Sequence, residues 1–307
     1  MQLSMFSLLL CALISKPATG YRAIYPRLSL KRHLSIVKAG EQEECVQPGH
    51  VYYVATPLGN LQDITFRGIN TLTNVDIVCA EDTRHTVSLL RLLKIPHKQL
   101  VSHHEHNHAT SIPHIVNLAL SGKSIAVVSD AGTPGISDPG TELAEALAKH
   151  NVPIHPVPGC SAVAAALSIS GFSCNPFTFY GFIPVKGTAR KTMLEQIAST
   201  KHTVVLYEAP HRIERTLQDL YTYGSTNNNI KDQIDDIGDI NTVGVMRNRP
   251  LVCCRELTKL HEEISRGTVA TILDRMTLSD DSKHSTKRTI KKSTADSAEE
   301  MVRYTTS

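Results

Sequence analysis

The sequence lacks any apolar run long enough to cross a bilayer, and its cysteines form no Cys-x-x-Cys pair. A spanning helix needs about 20 apolar residues, so we expect no membrane insertion. Seven cysteines without that pair argue against a disulfide scaffold and against a zinc ribbon. With 41% hydrophobic and 20% charged residues, the composition is typical of a globular protein. The 307 residues suffice for two α/β domains.

Acidic residues are absent from the first forty positions, which hold six of the 32 basic residues. Residues 41–307 therefore contain 26 basic and 29 acidic residues, a formal charge of −3 against +3 for the whole chain. The main body is not a basic nucleic-acid clamp, and any RNA contact must come from a local patch.

Residues 1–40 have the composition of a targeting segment. The stretch from Met5 to Ile14 is apolar and has the length of a signal-peptide core, and Ala18-Thr19-Gly20 offers a small-x-small cleavage site. The basic, acid-free stretch from Tyr21 to Gly40 is typical of a transit peptide. The two together predict the two-step address of a plastid acquired by secondary endosymbiosis, with a mitochondrial presequence as the second interpretation and secretion as the third.

In the main body, short β-branched runs alternate with helical patterns, as in parallel α/β architecture. The predicted strands are Val51–Ala55, Val75–Ala80, Ile125–Ser129, Val152–Val157, Phe177–Phe182 and Thr203–Glu208. The predicted helices are 84–94, 110–121, 139–149, 160–170, 189–200 and 210–223. We divide the body into domains at 50–157 and 158–278, with an inserted loop at 225–249 and a polar, disordered tail at 279–307.

Two turns that follow predicted strands are rich in glycine and small residues. The segment from Thr56 to Ile64 is neither a dinucleotide fingerprint nor a Walker A loop. In the segment from Ser129 to Gly140, small residues allow backbone groups to reach a bound molecule. Because this segment contains no lysine, we expect a ligand with amide, carboxylate and adenine edges rather than a polyphosphate.

Two polar segments carry groups that could act chemically. Glu81-Asp82-Thr83-Arg84 follows a predicted strand, where its charges suit substrate positioning, proton transfer or a structural ion pair. The histidines in 103–108 invite a metal interpretation, but no carboxylate or cysteine lies at helical spacing to complete a site. We interpret 103–108 as a polar segment at the surface or at the edge of the substrate site, and we predict no metal.

Taken in order, these segments resemble the ribosomal small-subunit RNA (cytidine-2′-O)-methyltransferase I family of the tetrapyrrole methylase superfamily, over roughly residues 50–272. The motifs that carry the resemblance are Thr56-Pro57-Leu58-Gly59-Asn60-Leu61-x-Asp63-Ile64, Glu81-Asp82-Thr83-Arg84, His104-Glu105-His106-Asn107, Ser129 to Gly140, Pro158-Gly159-x-Ser161-Ala162, Gly181-Phe182-x-Pro184, Tyr207-Glu208-x-x-His211-Arg212 and Arg255-Glu256-Leu257-Thr258-Lys259.

The resemblance implies a class III methyltransferase fold of two α/β domains with S-adenosyl-L-methionine in the cleft between them, usually as a homodimer. It implies as substrate the ribose 2′-hydroxyl of a cytidine in small-subunit rRNA, free or in the assembled small ribosomal subunit. We expect Glu81 and Asp82 to handle the hydroxyl proton and Arg84 to position the phosphate backbone. The expected cofactor residues are Thr56, Pro57, Gly59, Asn60, Asp130, Ala131, Gly132, Thr133, Pro134, Pro158, Gly159, Ser161, Ala162, Tyr207, Glu208, Arg255 and Glu256.

Two alternatives stay open at this point. The first is a tetrapyrrole methylase of the siroheme or corrin type, which shares the fold. The second is a ribosome-associated RNA-binding protein with an impaired cofactor site. It is favoured by the C-terminus, where relatives carry a basic-Gly-Glu turn and a final apolar strand and this chain offers only residues 298–304 after a polar tract.

Overall fold

The computed structural model describes residues 10–14, 46–226 and 246–278, which form two compact units. The N-terminal unit contains residues 46–169 and 256–262, and the C-terminal unit contains residues 10–14, 170–226, 246–255 and 263–278. The first described strand, β1 (Leu10–Ile14), belongs to the C-terminal unit. Among the described residues, no helix is long and apolar enough to span a membrane.

The N-terminal unit is built on a five-stranded parallel sheet. Its strands are β2 (Val51–Val54), β3 (Ile77–Ala80), β4 (Gln99–Ser102), β5 (Ile125–Val128) and β6 (Ile154–Val157), in the order β4-β3-β5-β2-β6. Its helices are α1 (Phe66–Asn74), α2 (Thr83–Leu92), α3 (His108–Leu120), α4 (Thr141–Lys149) and α5 (Ala162–Ser170).

Both faces of this sheet are buried. Alternate strand residues, such as Val51 and Ile77, pack with Ile115 of α3 on one face, whereas Val54 and Val78 belong to the core on the other face. A parallel sheet needs this double cover, which explains why β3 and β5 are apolar throughout. Because all five strands run in the same direction, the turns that follow them meet at one edge of the sheet.

The C-terminal unit contains a mixed sheet in the order β10-β9-β1-β8-β7. Its further elements are β7 (Phe177–Phe182), α6 (Gly187–Ser199), β8 (Thr203–Glu208), α7 (Ile213–Thr226), β9 (Pro250–Arg255), β10 (Glu263–Thr268) and a final helix α8 that covers residues 269–278. Among the strands that the structure describes in this unit, only β7 and β8 pair in parallel. Val204, Leu206, Leu217, Leu251 and Ile272 lie in its core.

The central strand of this second sheet comes from the predicted targeting segment. The backbone of β1 pairs antiparallel with β8, from Leu10 opposite Glu208 to Ile14 opposite Val204. On its other side β1 pairs antiparallel with β9. These residues belong to the predicted signal-peptide core, and cleavage after Gly20 would remove them. In the structure, therefore, part of the apolar run is the central strand of a sheet, a role that its composition does not predict.

The other domain predictions differ from the structure in detail. The units divide between Ile169 and Ser170, beyond the predicted boundary at 158, because residues 159–161 pack on the N-terminal sheet. The predicted loop at 225–249 is helical up to Thr226 and has a short 3-10 helix at Met246–Asn248, while its middle lies outside the described residues. The predicted tail at 279–307 also lies outside them.

Candidate active site

Two of the predicted cofactor turns are joined by a short antiparallel bridge at the sheet edge. The backbone N–H of Thr56 donates to the carbonyl of Gly132 at 2.9 Å, and the N–H of Gly132 donates to the carbonyl of Thr56 at 3.0 Å. The Thr56 hydroxyl donates to the carbonyl of Ser129 at 3.1 Å. Gly132 has φ +90°, a conformation that favours glycine. The segments after β2 and β5 are therefore held side by side.

The third turn, after β6, joins the same group. The Thr133 hydroxyl donates to the carbonyl of Cys160 at 2.8 Å. Gly159 lies so close to Ala55 that a Cβ atom added to the glycine would come within 2.9 Å of the alanine Cβ. Cofactor residues predicted from three separate motifs therefore lie together at one edge of the N-terminal sheet.

A segment from near the end of the described chain completes this edge. The Asn60 N–H donates to the Thr258 hydroxyl at 3.2 Å, and the Lys259 side chain covers Gly59. The Lys259 ammonium pairs with Glu256 at 3.3 Å. Glu256 and Thr258 adopt φ +54° and +67°, and such strained backbone is concentrated at functional sites. Glu256 thus joins the predicted residues of the first turn.

Three predicted cofactor residues, Tyr207, Glu208 and Arg255, lie in the C-terminal unit. The Glu208 carboxylate is buried there and fully engaged: it accepts hydrogen bonds from Thr216 at 2.6 Å and from the Ala209 N–H at 2.8 Å, and it pairs with Arg212 at 3.1 Å. These contacts give the Glu208 side chain a structural role, and its cofactor assignment stays a prediction.

The two neighbouring carboxylates predicted to be catalytic have different environments. Asp82 caps α2 by accepting from the Arg84 N–H at 2.8 Å, and its carboxylate pairs with the Arg84 guanidinium at 2.6 Å. This pairing holds the pKa of Asp82 well below its usual range. Arg84 itself is 86% exposed. The geometry therefore favours a capping role for Asp82 over the predicted role in proton transfer.

Glu81 is the carboxylate that can exchange a proton near neutral pH. Burial, followed by the negative charges of Asp138 and Asp130, raises the pKa of Glu81 to about 7. Burial likewise raises the pKa of Asp138 to about 6. Perturbed carboxyl groups at a sheet edge are candidates for acid–base chemistry.

Asp130 links this acidic group to α2 rather than facing solvent. Its Oδ1 atom accepts from the Asp82 N–H at 3.3 Å, and its Oδ2 atom lies 3.6 Å from Nδ1 of His85. The Asp130 N–H points at the Glu81 carboxylate at 3.5 Å. Neither Asp138 nor His85 is among the predicted catalytic or cofactor residues, although both lie inside or beside the motifs named above. The effect on Asp138 depends on burial and the place of His85 on its approach to Asp130, and a motif shows neither.

The histidine segment is polar structure at the same edge. His103 is buried, and its Nδ1 atom lies 2.8 Å from the Ser111 hydroxyl. The Asn107 side chain accepts from the His104 N–H at 2.8 Å and thereby shapes the turn before α3. Across the part of the chain that the structure describes, no three histidine, cysteine or carboxylate groups are arranged to hold a metal ion.

Comparison with known proteins identifies related sequences over most of the chain. Residues 50–273 match the family model described as Tetrapyrrole (Corrin/Porphyrin) Methylases. The chain is 42% identical over 225 residues to the "Ribosomal RNA small subunit methyltransferase I" of Synechocystis sp., covering 73% of each protein. The protein of that name from Halalkalibacterium halodurans is 42% identical and covers 72% of this chain and 68% of its own.

Solved structures show the same fold at much lower identity. A uroporphyrin-III C-methyl transferase from Thermus thermophilus, complexed with S-adenyl homocysteine, superposes with a TM-score of 0.50 at 15% identity. The match covers 73% of this chain and 90% of that one. This likeness supports the two-unit α/β architecture that the motifs predict.

Proposed function

Because the chain belongs to the tetrapyrrole methylase family, within its small-subunit rRNA methyltransferase I branch, we propose that it methylates small-subunit rRNA at the 2′-hydroxyl of a cytidine ribose. The methyl donor is S-adenosyl-L-methionine. The observation that carries the substrate class is the 42% identity to relatives named for that rRNA. The choice of cytidine and of the 2′-oxygen rests on the resemblance of the motifs.

The residues at the sheet edge fit such a cofactor. The three turns at 56–62, 129–135 and 158–162 contain no lysine or arginine, which disfavours a polyphosphate. The carboxylates of Glu81, Asp130 and Asp138 make the edge acidic, and acidic surroundings favour a ligand of net positive charge. When bound, S-adenosylmethionine supplies an electrophilic methyl group on a positively charged sulfur. Thr56, Asn60 and Thr133 would hold the cofactor from the N-terminal unit.

Glu81 is our candidate for the group that accepts the hydroxyl proton. A ribose hydroxyl is a poor nucleophile at neutral pH, and a base with a pKa near the working pH is the most effective. The Glu81 carboxyl, with a pKa of about 7, meets this condition, whereas the paired Asp82 is a much weaker base. The exposed Arg84 guanidinium suits a phosphate contact. The rest of the site acts by orienting the reactants.

We further propose an organellar setting, with a plastid favoured over a mitochondrion, and a homodimeric state. The support for the organelle is the acid-free composition of residues 1–40, and the support for the dimer is the family resemblance. The same apolar residues form β1, so removal of the address after Gly20 would also remove a strand. Sequencing the N-terminus of the mature protein from its native cell tests the address: a start at or after Tyr21 supports it, and a start at Met1 contradicts it.

A comparison of methyl acceptors tests the function. The full chain, with labelled S-adenosylmethionine, is offered unmethylated small ribosomal subunits, naked small-subunit rRNA, or uroporphyrinogen III. We expect the label to appear in the rRNA of the small subunits, in the naked rRNA, or in both. Label in the tetrapyrrole would instead favour a tetrapyrrole methylase. Binding of the cofactor with no transfer to either rRNA form would favour an RNA-binding protein with an impaired site.

A further inference from the structure

The turn between β7 and α6, residues 183–186, is held in place by two arginines of the C-terminal unit. The guanidinium of Arg212 donates to the carbonyl of Ile183. The buried Arg190 donates to the carbonyl of Pro184 at 3.0 Å. These two consecutive carbonyls therefore have partners that fix the path of the backbone.

Both arginines are themselves fixed by acidic partners. Arg190 pairs with Asp219 at 2.6 Å and donates to the Thr216 hydroxyl at 3.0 Å. Arg212 pairs with Glu208 at 3.1 Å, and Thr216 donates to Glu208 at 2.6 Å. A buried ion network is weak support for stability, because desolvation offsets its attraction. Its direct effect is to make the β7–α6 turn rigid.

Two apolar side chains, one at the end of β7 and one in the turn, are exposed to solvent. Phe182 is 43% exposed and Val185 is 56% exposed. The pairing of β7 with β8 shifts register between Phe179 and Phe182, where Gly181 has φ +64°. The Phe182 ring meets Tyr207 edge-on at 5.5 Å between centroids. Bulges in a strand commonly redirect a side chain towards a functional site, and here part of an anchored aromatic ring is left uncovered.

The sequence that leads into this turn and through the start of α6 is free of acidic residues, since no aspartate or glutamate occurs between Glu145 and Glu195. Lys186, immediately before α6, is exposed. Lys191, in its second turn, is also exposed and lies 4.0 Å from Glu195. In a main body of formal charge −3, this is the kind of local basic patch that an RNA contact requires.

We propose that the surface formed by Phe182, Val185, Lys186 and Lys191 binds single-stranded rRNA, with a nucleobase stacked against Phe182 and a phosphate beside Lys186. This inference rests on the proposed function, because it assigns a binding surface to the same substrate. Aromatic stacking and lysine–phosphate contacts are the usual means of holding unpaired RNA.

The proposed contact between Lys186 and an RNA phosphate is tested by reversing one charge at each end of α6. Lys186 precedes α6 and Lys201 follows it, about 20 Å away along a helix of 13 residues. The probe is a fluorescent transcript of the small-subunit decoding region, bound by the full chain at several salt concentrations. We expect Lys186→Glu to weaken binding at least about tenfold at low salt and to lower the salt slope by about one. We expect Lys201→Glu to change neither quantity. Equal affinity for the two variants would overturn the inference.

The proposed stacking of a base on Phe182 is tested with the variants Phe182→Ala and Val185→Ser. The Val185 side chain is exposed, so that it can be changed without disturbing the core. Loss of one stacked base weakens binding by about 5- to 150-fold, and we expect a loss in this range for Phe182→Ala and a smaller loss for Val185→Ser. Affinity for S-adenosylmethionine, measured by calorimetry, should stay unchanged in both. Unchanged RNA affinity in both variants would overturn the stacking contact.

Three further outcomes separate this inference from the proposed function and from a protein partner. If the wild-type chain methylates rRNA and all surface variants do so with unchanged KM, the surface is wrong and the function stands. If the wild type methylates no rRNA, the function fails, and the surface assignment then stands or falls on the transcript-binding results alone. If the variants bind the naked transcript normally and lose only assembled subunits, the partner is a ribosomal protein and the RNA assignment is overturned.

Discussion

At the residue scale, Glu81 and Asp82 are adjacent in sequence, but the pKa values of their carboxyl groups are shifted in opposite directions. Arg84 holds Asp82 in its ionised form, whereas burial and nearby carboxylates raise the pKa of Glu81 to about 7. The motif predicts that carboxylates lie at this edge of the sheet. It does not predict which of the two is the stronger base, because that depends on burial and on the pairing with Arg84.

The matched substitutions Glu81→Gln and Asp82→Asn separate these roles. We expect Glu81→Gln to lower methyl transfer by about 10²- to 10⁴-fold, the usual contribution of a general base, and to lower cofactor affinity far less, because Asp130 and Asp138 keep the edge acidic. Asparagine remains a good helix cap, so Asp82→Asn should alter the rate only a few-fold. The wild-type rate should rise with pH through about 7, and this rise should be absent in Glu81→Gln. A larger loss for Asp82→Asn than for Glu81→Gln would contradict the assignment.

The raised pKa of Glu81 also predicts how stability depends on pH. A carboxyl whose pKa rises from 4.5 in the unfolded chain to about 7 in the folded one favours folding below pH 4.5, and this contribution is lost as pH rises through 7. Glu81→Gln removes the dependence. Its melting temperature relative to the wild type should therefore be higher at pH 8 than at pH 5. A difference that is the same at both pH values would show that Glu81 is not perturbed.

Two glycines with the same backbone conformation test the cofactor turn. Gly132 has φ +90° at the bridge to Thr56, and Gly122 has φ +88° with no atom near an added Cβ. Alanine at either position should cost about 1–2 kcal/mol in the free energy of unfolding, measured by denaturant titration. Only Gly132→Ala, next to the predicted ligand, should also weaken S-adenosylmethionine binding. Equal cofactor affinity in the two variants would remove this turn from the site.

At the scale of secondary structure, β1 is the element with the largest consequence. It separates β8 from β9, pairing with five residues of the first and four of the second. Without it, the backbone groups of β8 and β9 that face it lose their partners, and unpaired buried groups are costly.

Hydrogen exchange on the full chain measures whether β1 occupies this position. Proline at Ala12, opposite Leu206 and Cys253, removes a backbone donor and is poorly tolerated inside a sheet. We expect Ala12→Pro to speed exchange at 204–208 and 251–254, while Ala18→Pro, outside the strand, leaves it unchanged. Protection that is equal in both variants would show that residues 10–14 are not part of the sheet.

The sequence predicts the strongly patterned elements and misses those with weak patterns. The predictions for Phe177–Phe182 and Thr203–Glu208 are confirmed residue for residue, because β-branched and aromatic runs bounded by polar residues are distinctive. The helix α1 was not predicted, since Phe66–Asn74 is rich in Gly, Thr and Asn, which form helices poorly. The strand β1 was not predicted either, because a short apolar run is equally typical of a buried strand and of a signal-peptide core.

At the scale of the whole molecule, the predicted cofactor residues of the N-terminal unit lie together, as their position after parallel strands leads one to expect. Parallel strands bring their following turns to one edge, so motifs far apart in sequence meet there. The fold and the family predicted by the motifs are confirmed. The roles of all the predicted cofactor and catalytic residues, Tyr207 and Arg255 among them, stay predictions, since they depend on bound ligands.

The most direct test of the central claim is to map the methylated nucleotide. Unmethylated small ribosomal subunits are incubated with the full chain and S-adenosylmethionine, and the rRNA is analysed by mass spectrometry of its nucleosides and by primer extension. We predict the appearance of 2′-O-methylcytidine at a single position, abolished by Glu81→Gln. A methyl group on a base, on another ribose type, or no methylation of the rRNA at all would contradict the account.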